Sequence, residues 1–150
     1  MSRYIIDTNV VSEIWKNEPD ENVATWVRRH DYFIPAPVIA EIVDGIESDT
    51  SQARQVRHRA LLDNFLGQTP TLDWDVETAF TWGQLRNCAE VKLKPQPLWD
   101  SLLDAMAVRY NAVIVSRNAS DFRHATVFDP WTGSEHLPGF DSSPPCPFKA

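Results

Sequence analysis

Tyr4-Ile5-Ile6-Asp7-Thr8-Asn9 is the stretch from which the rest of the chain is read. An aromatic residue followed by two β-branched ones has the pattern of a short buried strand. The polar triplet after it suits a strand end or a helix cap. A carboxylate at the carboxyl end of a strand lies where open α/β sheets place their ligands. Asp7 has an equally ordinary use, capping the following turn through its side-chain oxygen. These six residues leave both uses open, and the acids elsewhere in the chain must decide.

Downstream, residues 10–15 suit a short helix that breaks before Pro19, and Asp20 can cap the next, where Val23, Trp26 and Val27 recur at helical spacing. Tyr32-Phe33-Ile34-Pro35 reads as a second strand closed by proline. Pro37 then opens a helix over residues 38–46 that is apolar almost all round and is expected to be buried. Ser51 starts an arginine-rich helix (Arg54, Arg57, Arg59) that Gly67 should end. A short strand is predicted over residues 69–72. The next helix, capped by Asp73 or Asp75, should run through Ala79, Trp82, Leu85 and Cys88. Residues 92–97 read as an extended loop. A helix then starts at Leu98 or Asp100 and stops at Asn111, a residue that tolerates the left-handed cap position. Ala112-Val113-Ile114-Val115-Ser116 is the clearest strand, apolar on both faces, and residues 126–128 form a short last one.

Strands alternating with helices predict an α/β fold, a central parallel sheet flanked by helices. One domain is expected over residues 1–132, followed by a loosely ordered proline-rich tail over 133–150. The 150 residues, 43% hydrophobic with six Trp, are those of a globular protein long enough for a real core. No apolar run approaches the ~20 residues of a membrane span, and no charged-then-apolar leader opens the chain, so a cytoplasmic protein without a membrane partner is expected. Cys88 and Cys146 give neither a disulfide framework nor a metal-ligand spacing. His30, His58, His124 and His136 form no H-x-x-x-H pair, which argues against histidine-ligated zinc. Phosphate-loop, dinucleotide and G-x-S-x-G motifs are missing, so nucleotide-cofactor and serine-hydrolase readings fall away.

Net charge is −7, the wrong sign for a lone nucleic-acid binder. Carboxylates gathered in a metal site, a basic partner, or solubility alone would each account for it. Glu41 is the oddest acid, set among Val38, Ile39, Ala40, Ile42 and Val43, where a carboxylate is costly unless paired with an arginine or bound to a cation. Asp100 and Asp104 are four apart and share a helix face; a divalent cation would turn their repulsion into coordination, although Asp100 also reads as a plain N-cap. Asp121 follows the best strand, on the same sheet edge as Asp7, and with Asn118 could equally be a capping pair. Ser116 and Asn118 could add neutral oxygens there. Oxygen-only ligands select Mg²⁺ or Mn²⁺ over zinc. A water bound to such an ion can attack a phosphodiester with no Ser, Cys or His nucleophile. Arg54, Arg57, His58 and Arg59 form a basic cluster, either a solvated face or a contact for phosphates or a partner. Trp74, Trp82 and Trp99 could stack on bases, with core packing the plainer use of Trp82.

Ile6-Asp7-Thr8-Asn9-Val10-Val11-Ser12-Glu13 resembles the opening L-D-T-N-V-[IV]-S-E of PIN-domain ribonucleases, especially VapC/FitB-type toxins of bacterial toxin–antitoxin pairs. Ala40-Glu41-Ile42 with Gly45-Ile46-Glu47 resembles A-E-[IL]-x-x-G-I-E, and Asp100-Ser101-Leu102-Leu103 leads to Val115-Ser116-Arg117-Asn118-Ala119-Ser120-Asp121-Phe122, similar to V-[TS]-R-N-x-x-D-F. Asp129-Pro130-Trp131 stands where members often have Asn-Pro-Trp. The resemblance covers residues 3–131. It implies a three-layer α/β/α fold, a Mg²⁺/Mn²⁺ site, endoribonuclease activity, a homodimer, and inhibition by a small antitoxin inserted over the acidic pocket, often with an arginine. Operator DNA would be met only through that basic antitoxin. The family's acidic quartet carries over to Asp7, Glu41, Asp100 and Asp121, with Thr8, Asn9, Ser116 and Asn118 in support. Asp104 departs from the pattern and stands as an extra ligand or a charge behind the ligands. Two rival readings remain: a non-catalytic scaffold whose acidic pocket docks a basic partner, and a nuclease of RNA maturation.

Overall fold

The computed structural model describes residues 3–88 and 94–138. The opening stretch folds as expected: β1 (Arg3–Ile6) ends at Asp7, and α1 (Thr8–Ile14) begins directly after it. Successive strand residues point to opposite faces of a sheet. Ile5 and Ile6 are both fully buried, so both faces are covered. That double burial is what a sheet sandwiched between helical layers requires, and it makes the fold a three-layer α/β/α arrangement.

Six α-helices are present among the described residues, the others being α2 (Glu21–Arg29), α3 (Ala36–Ser48), α4 (Gln52–Gln68), α5 (Val76–Arg86) and α6 (Leu98–Tyr110). The remaining strands are β2 (Ile34–Pro35), β3 (Thr71–Leu72), β4 (Ala112–Val115), β5 (Val127–Asp129) and β6 (Ser134–His136). β1 pairs in parallel with β4, Ile6 opposite Val115, and β4 in parallel with β5. On its other edge β1 meets the β2 segment through the Ile5–Phe33 bridge, and β2 pairs in parallel with β3. The spatial order is therefore β3-β2-β1-β4-β5-β6, reversing direction between β1 and β4. Open α/β sheets bind ligands at the carboxyl ends of the strands flanking such a reversal.

The core is built where the strands meet the helices: Ile5, Ile6, Ile34, Ile114 and Val115 pack with Val10, Val23, Leu103 and Met106. Each such side chain contributes roughly 2 kcal/mol by leaving water. Trp26 sits at one flank, edge-on to Tyr4 at 5.2 Å and stacked on His30 at 4.5 Å.

Several local expectations need correction. α3 is not buried all round: Val38, Ile42 and Ile46 face the core, while Ala40, Val43 (39% exposed), Asp44 and Gly45 face outward. Apart from Asp44 its outer residues over 38–46 are small or aliphatic, so composition overstates the burial. Asp100 is not the N-cap of α6; Pro97 holds that position with no side-chain cap, and Asp100 lies inside the first turn. α4 runs one residue past Gly67, and α5 stops at Arg86, before Cys88. Asp75, not Asp73, caps α5, accepting from the Thr78 backbone N–H at 2.8 Å. Asn111 ends α6 in the left-handed region (φ 51°), as expected. Beyond residue 132 the chain does not simply lose order: Gly133, at φ 77°, turns it back, and β6 pairs antiparallel with β5. The rest of the expected tail, residues 139–150 with Cys146, and part of the expected 92–97 loop lie outside the described residues. No helix among the described residues is long and apolar enough to cross a membrane.

Candidate active site

Asp7 performs both uses that its sequence left open. Its Oδ1 accepts the Thr8 backbone N–H at 2.8 Å and so caps α1. Its Oδ2 accepts from the Ser116 hydroxyl at 2.7 Å and from Asn9 Nδ2 at 3.3 Å. The Asp7 backbone N–H donates to Val115 O at 3.0 Å, which fixes the carboxylate at the shared end of β1 and β4. Asn9 ties the two strand ends together by also donating to Ser116 Oγ at 3.1 Å. Ser116 Oγ in turn accepts the Asn118 backbone N–H at 3.0 Å. Fully buried Ser116 is thus a support for Asp7 and does not line the cleft; the neutral oxygen-bearing side chains on its wall are Thr8, Asn9, Ser12 and Asn118, with Asn9 Oδ1 accepting the Arg117 backbone N–H at 3.4 Å.

Asp7, Glu41, Asp100 and Asp121 all line one cleft of about 490 Å³ at this sheet edge. Glu41 arrives from α3 and is half-buried; among the described residues no arginine or lysine forms an ion pair with it. Asp100 arrives from the first turn of α6, where the helix dipole favours negative charge. Asp121 ends a short 3-10 turn, Ala119–Asp121, and Asn118 makes no side-chain cap there, so the capping-pair alternative is not what is built.

The electrostatics follow from four like charges with few donors. Burial pushes the Asp100 carboxyl up to about 7, reinforced by Asp7, Asp121, Glu41 and Asp104. Asp7 is also raised, chiefly by burial, with Glu41 and Asp121 adding to it and the Ser116 and Thr8 hydrogen bonds opposing it. A cation would relieve this repulsion. Among the described residues no group of three or more acidic, His or Cys side chains stands close enough to hold a metal ion as placed. The carboxylates face an open space instead, which suits a hard ion that keeps several of its waters. The oxygen-only donor set fits Mg²⁺ or Mn²⁺.

Asp104 does not belong to this set. It is 1% exposed and absent from the cleft wall. Its oxygens accept the backbone N–H of Arg123 at 2.9 Å, that of His124 at 3.0 Å, and the Gln96 side chain at 3.2 Å. The i,i+4 spacing put it on the helix face of Asp100, but the 121–124 loop covers it.

The wall holds groups that the sequence reading passed over as parts of a motif. Glu13 is buried, accepts from Trp131 Nε1 at 3.2 Å, and pairs with Lys16 at 3.0 Å. The Lys16 hydrogen bond holds its carboxyl below the usual range. Trp131 is aimed there by a turn in which its backbone N–H donates to Asp129 Oδ1 at 2.8 Å, and the Arg117 guanidinium lies 5.0 Å above its ring. Among the described residues Lys16 and Arg117 are the cations that line the cleft. Lys16 lies three residues after Glu13, a helical ion-pair spacing, and that was the one available signal.

The basic cluster of α4 is split. Arg54 pairs with Asp49 at 2.9 Å and Arg59 with Glu47 at 2.6 Å, so both belong to a solvated face. Arg57 and His58 instead line a neighbouring groove of about 450 Å³ that shares Thr8, Ser12, Lys16 and Glu41 with the acidic cleft. Trp15 stacks on His58 in its wall, with ring centroids 6.0 Å apart. Trp82 donates to Ser101 Oγ at 3.0 Å and packs between α5 and α6, the plainer of its two uses.

The family model for the PIN domain matches residues 4–127. VapC ribonuclease Y4jK of Sinorhizobium fredii is 26% identical over 137 residues, covering 85% of this chain and 96% of that protein. Toxin FitB of Neisseria gonorrhoeae is 27% identical over 137 residues, covering 85% of this chain and 97% of that protein. Among solved structures, FitAB bound to an IR36 DNA fragment superposes with a TM-score of 0.72 at 26% identity, over 92% of this chain and 99% of that one.

Proposed function

The chain belongs to the PIN domain family, and from that membership we propose that it is a Mg²⁺- or Mn²⁺-dependent endoribonuclease, the toxin of a type II toxin–antitoxin pair. The observation that carries the proposal is the convergence of Asp7, Glu41, Asp100 and Asp121, from four separate elements, on one cleft at the sheet's reversal point. The names of the relatives, a VapC ribonuclease and a toxin, support the same reading.

The four carboxylates would hold the cation or cations, directly or through water. When bound, the ion lowers the pKa of a water and offsets charge developing on the phosphate. The chain supplies placement. Ser116, Thr8 and Asn9 lock the Asp7 rotamer, so its carboxylate pays little reorganisation on binding. Asp100, which burial and its acidic neighbours push up to about 7, would hold a cation in its deprotonated form. Lys16 and Arg117, on the wall beside the acids, are placed to take the phosphates flanking the scissile bond. Without them an acidic cleft would repel RNA.

The partner in this reading is a basic antitoxin that lays a segment over the acidic cleft, with an arginine facing the carboxylates. Net charge −7 and the adjoining Trp15–His58 groove support such a partner. Operator DNA would be bound through that antitoxin; the similar FitAB assembly has been solved bound to an IR36 DNA fragment. The same reading includes a homodimer, for which Val76 and Phe80, exposed one turn apart on α5, are the apolar surface to cover. It also places the protein in the cytoplasm.

The test is cleavage of labelled total RNA by antitoxin-free protein with Mg²⁺, Mn²⁺ or EDTA, beside Asp7→Asn. Metal-dependent cutting lost in the variant is expected. Folded, partner-free protein that leaves several RNA pools intact in both metals would overturn the nuclease reading.

A further inference from the structure

One acidic side chain is left over once the cleft has been assembled. We propose that Asp104, together with Gln96, is a positioning device that holds Asp121 at the cleft; this rests on the metal-dependent nuclease reading above.

Asp121 needs such a device. Its 3-10 turn is three residues long, lacks a side-chain cap, and cannot hold its own geometry. Core-packed Phe122 and the Arg123 side chain, which donates to Ser120 O at 2.6 Å, anchor the turn nearby, and the clamp beneath fixes Asp121 itself. Gln96 Nε2 donates to the Asp121 backbone oxygen at 2.9 Å and to Asp104 Oδ2 at 3.2 Å, so one amide group bridges the two acids. Asp104 then takes the backbone N–H groups of Arg123 and His124, the two residues after Phe122. The loop is gripped at its oxygen on one side of Phe122 and at two N–H groups on the other.

The clamp also sets a distance within the cleft. Asp100 and Asp104 are one turn apart on α6, a rigid element, and Gln96 lies two residues before its first turn. Asp100 is placed by that helix directly, and Asp121 is placed by the same helix through Asp104 and Gln96. Two of the four cleft acids, 21 positions apart in sequence, are thereby referred to a single ruler. A carboxylate suits the task because it accepts several charge-assisted hydrogen bonds at once. Asp104 itself cannot be a ligand while it is 1% exposed with its oxygens taken up by three N–H donors.

The test compares wild type with Gln96→Ala, Asp104→Asn and Asp104→Ala as full chains without antitoxin. Mn²⁺ binding is measured by calorimetry, RNA cleavage across Mn²⁺ concentrations, and fold by circular dichroism. Gln96 is half-buried and its truncation should leave the fold intact. Gln96→Ala is expected to weaken Mn²⁺ binding about tenfold, in the range seen when groups behind metal ligands are removed. Excess Mn²⁺ should recover most of kcat, with KM for RNA unchanged. Asp104→Asn keeps a carbonyl acceptor and should fall between wild type and Asp104→Ala. In an Asp121→Asn background, Gln96→Ala should weaken Mn²⁺ binding no further, because both act through one side chain.

Native-like Gln96→Ala that binds Mn²⁺ as wild type does, or whose effect adds fully to that of Asp121→Asn, would overturn the proposal while leaving the nuclease reading intact. Wild type that binds no Mn²⁺ would overturn both. If Asp104→Ala fails to fold, Gln96→Ala and the double variant still decide.

Discussion

Asp100 and Asp104 occupy one face of one helix, a single turn apart, and are opposite in kind. Asp100 opens onto a cleft shared with three other carboxylates, and burial and repulsion push it up to about 7. Asp104 is more deeply buried and burial raises it too, but the buried His124 side chain and three N–H donors oppose that rise and favour its charged form. The difference lies in what surrounds each group. A carboxylate surrounded by donors has its charge compensated by the fold and serves the fold. One surrounded by other carboxylates is stable only with something from outside.

If that contrast is sound, neutralising a cleft acid and deleting the covered one must have different consequences. The largest effect is expected for Asp7→Asn, which should cut RNA cleavage by at least about 100-fold, about 2.7 kcal/mol in the barrier. Its melting temperature should change little, since relief of the repulsion offsets the loss of one of the two acceptor oxygens that Asp7 offers to Thr8, Ser116 and Asn9. Asp104→Ala should do the reverse in equilibrium urea unfolding, losing about 3 kcal/mol because buried N–H groups are left without an acceptor. Equal destabilisation by the two changes would break the comparison.

A smaller effect comes from pH. Asp100 rises from an ordinary value of 3.8 to about 7, so between those values the folded state holds more protons than the unfolded one. Stability of the metal-free protein therefore falls as pH rises through that window, and is greatest on its acid side. A drop of a few degrees in melting temperature between about pH 5 and pH 7.5 is expected, flattened in Asp100→Asn. A curve that rises over that range, in protein stripped of metal, would contradict the origin assigned to the Asp100 shift. The smallest effect is set by α4, whose Arg59–Glu47 pair is exposed on both sides. Arg59→Ala should move the melting temperature by no more than about 1 °C, because solvent screens such pairs.

The sequence made the sheet legible because its strands are short apolar blocks with a proline, an asparagine or an acid at their ends. Ile5-Ile6 and residues 112–115 could hardly be placed elsewhere than between two layers. The four cleft acids were legible for a related reason: each stands where a carboxylate has no local employment strong enough to explain it, apart from Asp7, which turned out to have two. Asp104 was legible only as a pair of alternatives, an extra ligand or a charge behind the ligands, because i,i+4 spacing gives the helix face but not what covers it; its cover comes from residues 121–124. The cations were missed for the same reason. Arg54, Arg57 and Arg59 are conspicuous as a run, yet two of them are paired with Asp49 and Glu47, whereas Lys16 and Arg117 stand alone in sequence and meet only at the cleft. β6 was hidden in a stretch whose prolines and serines suggested no strand, and only its pairing with β5 creates it.

The pairing of Ile6 with Val115 has a consequence for how the protein is made. Asp7 leaves the ribosome first, but its partners Ser116 and Asp121, and the Trp131 wall, leave more than a hundred residues later. At elongation rates of about 5–20 residues per second, the cleft cannot close for roughly 5–20 s after its first acid appears. On the nuclease reading proposed above, a nascent chain has no assembled cleft throughout that interval. A truncated product lacking the last strands would never assemble one, so on that reading the order in which the polypeptide emerges acts as a safety catch.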